Sequence, residues 1–400
     1  MIGLALEGGG TRGAYQFGAW KAFRKLGVEF DGIVGTSIGA LNGALMIQND
    51  FERAHEIWSE IAPEKVMRID PEVYELIKQS GLNSEKFGIL KEQFQTVFHD
   101  AGIDISPLEK MIRECTKEDL IRKSKKDFGI VTVSLTNFKP LELFKEDIPY
   151  GKMADYLLAT SYLPVFKTSK LDGKTFLDGG FYNNLPINML QEKKYEKVIA
   201  VRLMSRGPVR INKTAKTDLL MIEPKQDLGK ILDFSREKVD YNIQLGYFDT
   251  LKALNKLKGK NYYIEGGVKE EQSIYFFLQL SATCVKELGD ILGIKIREPK
   301  NRALMEEILP KIAELMQLNG NWTYEELLLR IFEEMAAYKK IEVFHIYTPE
   351  TLVERIKRKD VPMEKETEIE FLKSEIFLRF NKEKRVEEVI KTMLREKWSW

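Results

Sequence analysis

The amino-terminal half of the chain switches repeatedly between short apolar runs and longer stretches whose apolar residues recur three and four apart. The runs Ile2–Leu6, Phe30–Val34, Phe128–Thr136, Val198–Met204 and Leu219–Ile222 have the length and continuity of buried strands. Between them lie helical stretches, with Ala14 to Lys25 and Ile38 to Met46 as the clearest cases. Such alternation predicts an α/β fold with helices covering a mostly parallel sheet. One intervening section, about residues 50–126, is long and mostly helical, and its middle, Ala62 to Gly102, mixes charges with scattered aromatics. That is too long for a bare loop, so it reads either as a cap over part of a site or as helices packed on the sheet. From about residue 235 the periodicity is helical, with heavy Lys and Glu use and plausible breaks at Lys256 to Lys260 and Glu265-Gly266-Gly267. The expected organisation is therefore a catalytic-type domain at 1–235, with its insertion, and a mostly helical region at 236–400. Within that region Asn319-Gly320-Asn321 makes a turn, and Thr323-Tyr324-Glu325-Glu326 reads as a helix start of the capping-box type. There is no internal repeat and no low-complexity tract.

Composition narrows the classes. A chain of 400 residues with 44 % hydrophobic content can bury a sizeable core. Its 62 basic and 61 acidic residues leave a net charge of +1, so no global field draws in nucleic acid, and no nucleic-acid partner is expected. Cys115 and Cys284 lie far apart and form neither a disulfide framework nor a metal-ligand cluster, so both are expected reduced and no metal is expected. The first strand starts at once and functional glycines arrive by residue 8, which leaves no room for a removable leader. No run approaches the 18 apolar residues of a membrane span. These features point to a cytosolic protein whose membrane contact, if it has one, is local and peripheral. Two stretches suit such contact: Arg202, Arg206, Arg210, Lys213 and Lys216, with no acid until Asp218, and the terminal helix Arg385 to Trp400. Each also has a bland reading, as a solvated loop and as a core-packing helix.

The candidate chemistry starts at Gly35-Thr36-Ser37-Ile38-Gly39, a G-x-S-x-G turn between the second strand and a small-residue helix. A strand-to-helix turn this tight pushes the serine hydroxyl outward, and Gly35 and Gly39 allow strand and helix to approach closely. Ser37 is the candidate nucleophile. The first strand breaks into Gly8-Gly9-Gly10-Thr11-Arg12-Gly13 before a helix, and consecutive glycines there expose backbone N–H groups to anions. In acyl transfer the anion to be held is the tetrahedral oxyanion. Arg12 adds a cation suited to an oxyanion or a phosphate head group.

The same six residues satisfy G-x-G-x-x-G, the dinucleotide fingerprint, so an NAD-binding oxidoreductase is the sharpest rival. That reading also wants an acid at the end of the second strand. Asp31 instead precedes the strand's apolar core, and Gly35-Thr36-Ser37 stands where the ribose carboxylate belongs. Downstream, Asp178-Gly179-Gly180 places an aspartate at a strand end in a crowded turn. A Ser-His-Asp triad would need one of His55, His99 or His345, and each sits in a packing or surface context, with His345 inside the alternating run Glu342 to Tyr347. Without a histidine, a carboxylate must take the serine proton, and Asp178 fits best provided desolvation raises its pKa. An esterase using His345, and a lipid-binding protein without turnover, remain as alternatives.

Three ordered elements make the chain resemble the patatin-like phospholipase family: Gly8 to Gly13 is similar to its glycine-rich oxyanion loop, Gly35 to Gly39 to its nucleophile turn, and Asp178-Gly179-Gly180 to its Asp-Gly-Gly/Ala motif. Ala159-Thr160-Ser161-Tyr162-Leu163-Pro164-Val165-Phe166 and Asn183 to Pro186 resemble the segments that flank the aspartate. The likeness covers about residues 1–205. It implies a three-layer α/β/α fold and a lipid acyl hydrolase that needs no cofactor and acts on a lipid ester. By the same resemblance, Ser37 attacks, Asp178 is the base, and the amides of Gly9 and Gly10 hold the oxyanion. Glu7 departs from the pattern, and its carboxylate is expected to point away from that loop.

Overall fold

In the computed structural model, which describes residues 1–80, 102–167, 169–171, 173–296, 299–318, 320–359 and 382–396, the first apolar run becomes the middle of a sheet. Strand β1 (Ile2–Leu6) pairs in parallel with β2 (Gly32–Thr36) on one side and β6 (Lys197–Val201) on the other. Beyond β2 lies β3 (Asp127–Ser134), parallel, then β4 (Lys139–Phe144), antiparallel; beyond β6 lies β7 (Asp218–Ile222), parallel. The spatial order is β4-β3-β2-β1-β6-β7. A short strand, β5 (Phe176–Asp178), pairs antiparallel with β3 past the point where β2 ends. Because the order reverses at β1, the carboxyl ends of β1, β2 and β6 open on one crevice, the usual place for ligands in such sheets.

The expected parallel strands are present, with shifted ends. Phe30 lies just before β2, which begins at Gly32, and its ring packs edge-on against Phe23, centroids 4.9 Å apart. The run at Val198–Met204 stops pairing at Val201. Strand β4 was not expected. It sits at the sheet edge with half-buried side chains and contains Pro140, so it lacks the continuous apolar signature of a covered strand.

Alternation along the strands builds three layers. Leu6, Ile33 and Phe128 face helix α2 (Ile38–Ile47), whose Gly43 lies so close that a Cβ there would sit 3.2 Å from Ile33 and 3.3 Å from Phe128. Ala5, Val34, Val198 and Ala200 face the other way and pack with Ile187, Met189 and Leu190 of the helix Ile187–Glu192. Over α2 lie α1 (Ala14–Lys25) and α3 (Phe51–Glu60), joined through Phe17, Trp20, Leu45 and Trp58. Each such side chain contributes roughly 1.5–3 kcal/mol on burial. The described part of the 50–126 section is helical and includes Ser106–Cys115, called α4 here.

The chain forms two compact units, Met1–Ala253 and Leu254–Trp400. The second has its own core, which includes Phe277, Leu288, Leu328, Phe332 and Leu352. Its helix Tyr324–Tyr338 opens with the capping box read from the sequence: Glu326 N–H donates to Thr323 Oγ1 (3.1 Å) and Thr323 N–H donates to Glu326 Oε2 (3.0 Å). Of the run around His345 only Ile346–Tyr347 is a strand, paired in parallel with Tyr263–Ile264. The helix Lys382–Arg395 buries Val389, Ile390 and Met393 in this core, which is the packing reading of the terminal helix. Trp398 and Trp400 lie outside the described residues. Among the described residues, no helix is long and apolar enough to cross a membrane.

Candidate active site

Strand β3 acts as the ruler for the site. Thr36, the last residue of β2, pairs with Val131, and Asp178, the last residue of β5, pairs with Thr132, the next residue along. Two strands arriving from opposite directions therefore end side by side, and Ser37 follows directly on the first of them.

Ser37 has φ 53° and ψ −128°, a backbone conformation that costs on the order of 1–3 kcal/mol and needs its surroundings to hold it. Several contacts do so. Its N–H donates to Thr160 Oγ1 at 2.9 Å, and the Thr160 hydroxyl donates in turn to the Val131 carbonyl. The Thr36 hydroxyl donates to the Asn183 carbonyl at 2.8 Å. A Cβ on Gly35 would lie 2.5 Å from the Gly39 carbonyl, and one on Gly39 would lie 2.3 Å from the Leu6 carbonyl oxygen, so neither position has room for a side chain.

Asp178 is 4 % exposed and Ser37 is 9 % exposed. The Ser37 side chain lies close enough to the Asp178 carboxylate to favour its ionised form. Asp178 Oδ1 also accepts from the Gly180 N–H at 2.7 Å, and the Asp178 N–H is fixed by the Tyr162 carbonyl at 2.8 Å. Burial pushes the Asp178 pKa up to about 6, while Ser37 and the bond from Gly180 hold it down.

The glycine loop faces this pair. The Gly8 N–H is taken by the Asn184 carbonyl (3.0 Å) and the Thr11 N–H by the Ile231 carbonyl (2.9 Å), and the Arg12 N–H bonds back to Gly9 (3.3 Å). The N–H groups of Gly9 and Gly10 have no partner among the described residues. Gly13 packs against Ile38 and Trp58. The Arg12 side chain is directed to backbone oxygens: Nε donates to Gly229 (2.7 Å), and Nη1 to Met204 (3.2 Å) and Leu203 (3.4 Å). Burial lowers its pKa, opposed by Asp227 and Glu7. Thr11 Oγ1 donates to the Lys230 carbonyl at 3.2 Å. Both side chains thus strap the loops after β6 and β7 to the glycine loop. The fully buried Glu7 carboxylate accepts from the Leu203 N–H and from Asn184 Nδ2 (3.5 Å) and lies 3.7 Å from Arg202. Burial raises its pKa against these partners.

Two residues of this arrangement carried no motif of their own. Asn184 joins the glycine loop to the Asp178 turn, accepting from Gly8 N–H and donating through Nδ2 to the Gly8 carbonyl at 3.2 Å. Thr160 supports the Ser37 backbone. Both lie in stretches whose likeness to the motif flanks was the only available signal.

Ser37, Asp178 and Gly8 to Arg12 line a cavity of about 700 Å³. Its walls are mostly apolar: Leu41 and Leu45 of α2, Trp58 of α3, Met111 and Ile112 of α4, and Leu232. Helices of the 50–126 section thus form part of the wall. Among the described residues no histidine lines it. His55 is exposed beside Phe17, His345 belongs to the second unit and packs on Tyr347, and His99 lies outside the described residues. Asp31, which the dinucleotide reading would need, accepts from the Ile2 N–H at 2.7 Å, at the amino ends of the strands. Among the described residues no group of His, Cys, Asp and Glu could hold a metal ion.

The model of the patatin-like phospholipase family matches residues 4–190. Over those residues, just under half of its length, the chain is similar to that family. The match runs from β1 through the helix Ile187–Glu192 and takes in Ser37 and Asp178; the loops after β6 and β7 that Arg12 holds lie outside it. Among curated relatives, the chain is 27 % identical to neuropathy target esterase sws of Drosophila melanogaster over 307 residues, 73 % of this chain and 19 % of that protein. It is 26 % identical to patatin-like phospholipase domain-containing protein 6 of Mus musculus over 275 residues, 65 % of this chain and 18 % of that one. The chain thus spans less than a fifth of these relatives' length. Among solved structures, VipD from Legionella pneumophila aligns with a TM-score of 0.41 at 13 % identity, covering 96 % of this chain and 91 % of VipD.

Proposed function

We propose that this patatin-like domain is a serine lipid acyl hydrolase, with Ser37 as nucleophile and Asp178 as its only base. The observation that carries the reading is that a strained-turn serine and a buried carboxylate, set side by side by their register on β3, line one mostly apolar cavity. A carboxylate in water is a weak base for a hydroxyl, and a pKa near 6 brings Asp178 closer to its task at neutral pH.

In the first half-reaction Ser37 Oγ bonds to the acyl carbonyl carbon while its proton passes to Asp178. The resulting oxyanion is held by the N–H groups of Gly9 and Gly10, donors that need no reorganisation because nothing else occupies them. Collapse breaks the ester C–O bond, and Asp178 returns the proton to the leaving alcohol. Water then attacks the acyl-serine, losing its proton to Asp178; the bond between the acyl carbon and Ser37 Oγ breaks, Asp178 returns the proton to Ser37 Oγ, and the fatty acid leaves. The apolar wall takes the acyl chain, and α2, whose amino end starts at Ser37, adds a favourable dipole to the developing negative charge.

The test is covalent capture by a labelled fluorophosphonate together with hydrolysis of a mixed lipid extract, released fatty acids being read by mass. Capture lost in Ser37→Ala and turnover lost in Asp178→Asn, with His345→Ala unaffected, supports the dyad. Turnover lost in a folded His345→Ala protein would replace it with a triad.

A further inference from the structure

We propose that the face around the cavity mouth docks onto an anionic phospholipid surface, with residues 204–211 as the contact strip. The inference rests on the acyl-hydrolase reading for its purpose and on exposed side chains for its evidence. Phe181 is 56 % exposed and Met204 is 53 % exposed, and both line the cavity that holds Ser37. Large apolar side chains left in water at the rim of an apolar cavity mark a surface that is covered in use. Ile211, 39 % exposed, continues the patch.

Charge selects the partner. From Leu203 to Thr217 the chain has no acidic residue, and its four cations are exposed: Arg206 and Arg210 next to the turn bearing Phe181 and Tyr182, Lys213 and Lys216 towards the amino ends of β6 and β7. None of the four has an ion pair among the described residues. Nearby acids are engaged elsewhere: Glu142 accepts from Asn183 (2.7 Å) and Asn188 (3.0 Å), Glu192 accepts from Asn188 (3.4 Å), and Asp218 lies 3.9 Å from Lys197. A basic strip alone would suit any polyanion; unpaired cations interleaved with exposed Phe, Met and Ile beside the cavity favour head groups above acyl chains.

The strip is held in place rather than trailing. The Asn184 N–H donates to the Pro208 carbonyl (2.7 Å), Arg210 N–H to Asn183 Oδ1 (3.2 Å), Asn188 N–H to the Arg210 carbonyl (3.1 Å) and Asn212 N–H to Gln191 Oε1 (2.7 Å). A Cβ on Gly207 would lie 2.7 Å from the Gly180 carbonyl oxygen, so the loop bearing Met204 and Arg206 lies against the turn bearing Phe181. Arg210 stacks on the Tyr182 ring at 3.9 Å, which fixes its guanidinium at the surface. Docking there would point the cavity mouth at the bilayer, so an ester could pass inward without crossing water.

Sedimentation with vesicles of phosphatidylcholine, alone or mixed with phosphatidylserine, tests this on the Ser37→Ala protein, so that docking is read without turnover. Retention is expected on the mixed vesicles, falling steeply between about 0.1 M and about 1 M salt as the screening length shortens. Each basic side chain near an anionic leaflet contributes on the order of fivefold in partitioning, so Arg206→Glu/Arg210→Glu should lose at least about 25-fold. Met204→Ser/Ile211→Ser should also weaken retention, and Lys123→Glu/Lys125→Glu/Lys139→Glu should retain it, with thermal melts checking each fold. Equal retention on neutral vesicles, undiminished binding by Arg206→Glu/Arg210→Glu, or equal loss in the lysine variant overturns the proposal. Fluorophosphonate capture by the unmodified chain is read in parallel: vesicle retention without capture overturns the hydrolase reading alone.

Discussion

Asp178 must be ionised to accept a proton, and its burial resists ionisation; the same residue therefore sets both the pH range of activity and a local cost in stability. Activity, as kcat/KM, is expected to fall as pH drops through about 6, because the base is then protonated. A pH profile flat to about 4 would remove Asp178 from the role. For stability the sign is opposite to that of a paired surface carboxylate. The folded pKa lies above the unfolded one, so the ionised group destabilises the fold above pH 6 and the penalty is relieved as pH falls from about 6 towards 4. Asp178→Asn should accordingly abolish turnover while stabilising the fold at neutral pH by on the order of 3 kcal/mol, a gain that shrinks in acid and is read by denaturant titration. Thr160→Val leaves the Ser37 N–H unpaired in a buried place and should cost about 1–3 kcal/mol, with a lowered kcat, both read on one preparation. The nucleophile and the base were legible because glycines at fixed spacing announce turns with no room for side chains. Thr160 was not, since its importance comes from a hydrogen bond across 123 residues of sequence. Arg12 was legible as a cation, but that its guanidinium meets the carbonyls of residues 203, 204 and 229 is written nowhere near it in the chain.

At the scale of elements, α2 sits against β1 so closely that one methyl group is felt. Gly39→Ala would drive a Cβ into the Leu6 carbonyl and should cost about 1–3 kcal/mol while misplacing Ser37, with fluorophosphonate capture as the readout. In the second unit, Thr323→Ala removes half of a reciprocal cap and should cost about 1 kcal/mol in a denaturant titration. Both elements could be read from sequence because their signals are local: a glycine-flanked serine before small residues, and a Thr with Glu three residues on. Strand β4 could not, because an edge strand with half-buried side chains is neither continuously apolar nor cleanly alternating. Strand β5 has only three residues, and its value lies in its register on β3, a long-range property that no window of sequence contains.

At the scale of the whole molecule, each unit has a separate core, and every described residue lining the cavity belongs to the first. A fragment ending after the helix Arg236–Asn255 should therefore fold and keep fluorophosphonate capture at Ser37; its failure to do so would make the second unit part of the working enzyme. The balanced charge that argued against a global field was the right scale of statement for the molecule and the wrong one for the rim, where Arg206 and Arg210 are exposed near Phe181 and Tyr182. One arrangement has a further reach. Since β3 brings the strands ending at Ser37 and Asp178 into line, the helical section before it, residues 50–126, is not what sets their spacing. Helices such as α3 and α4, which wall the cavity, can then lengthen, shorten or be exchanged in the course of descent, altering which acyl group is accepted while the proton transfer stays where it was.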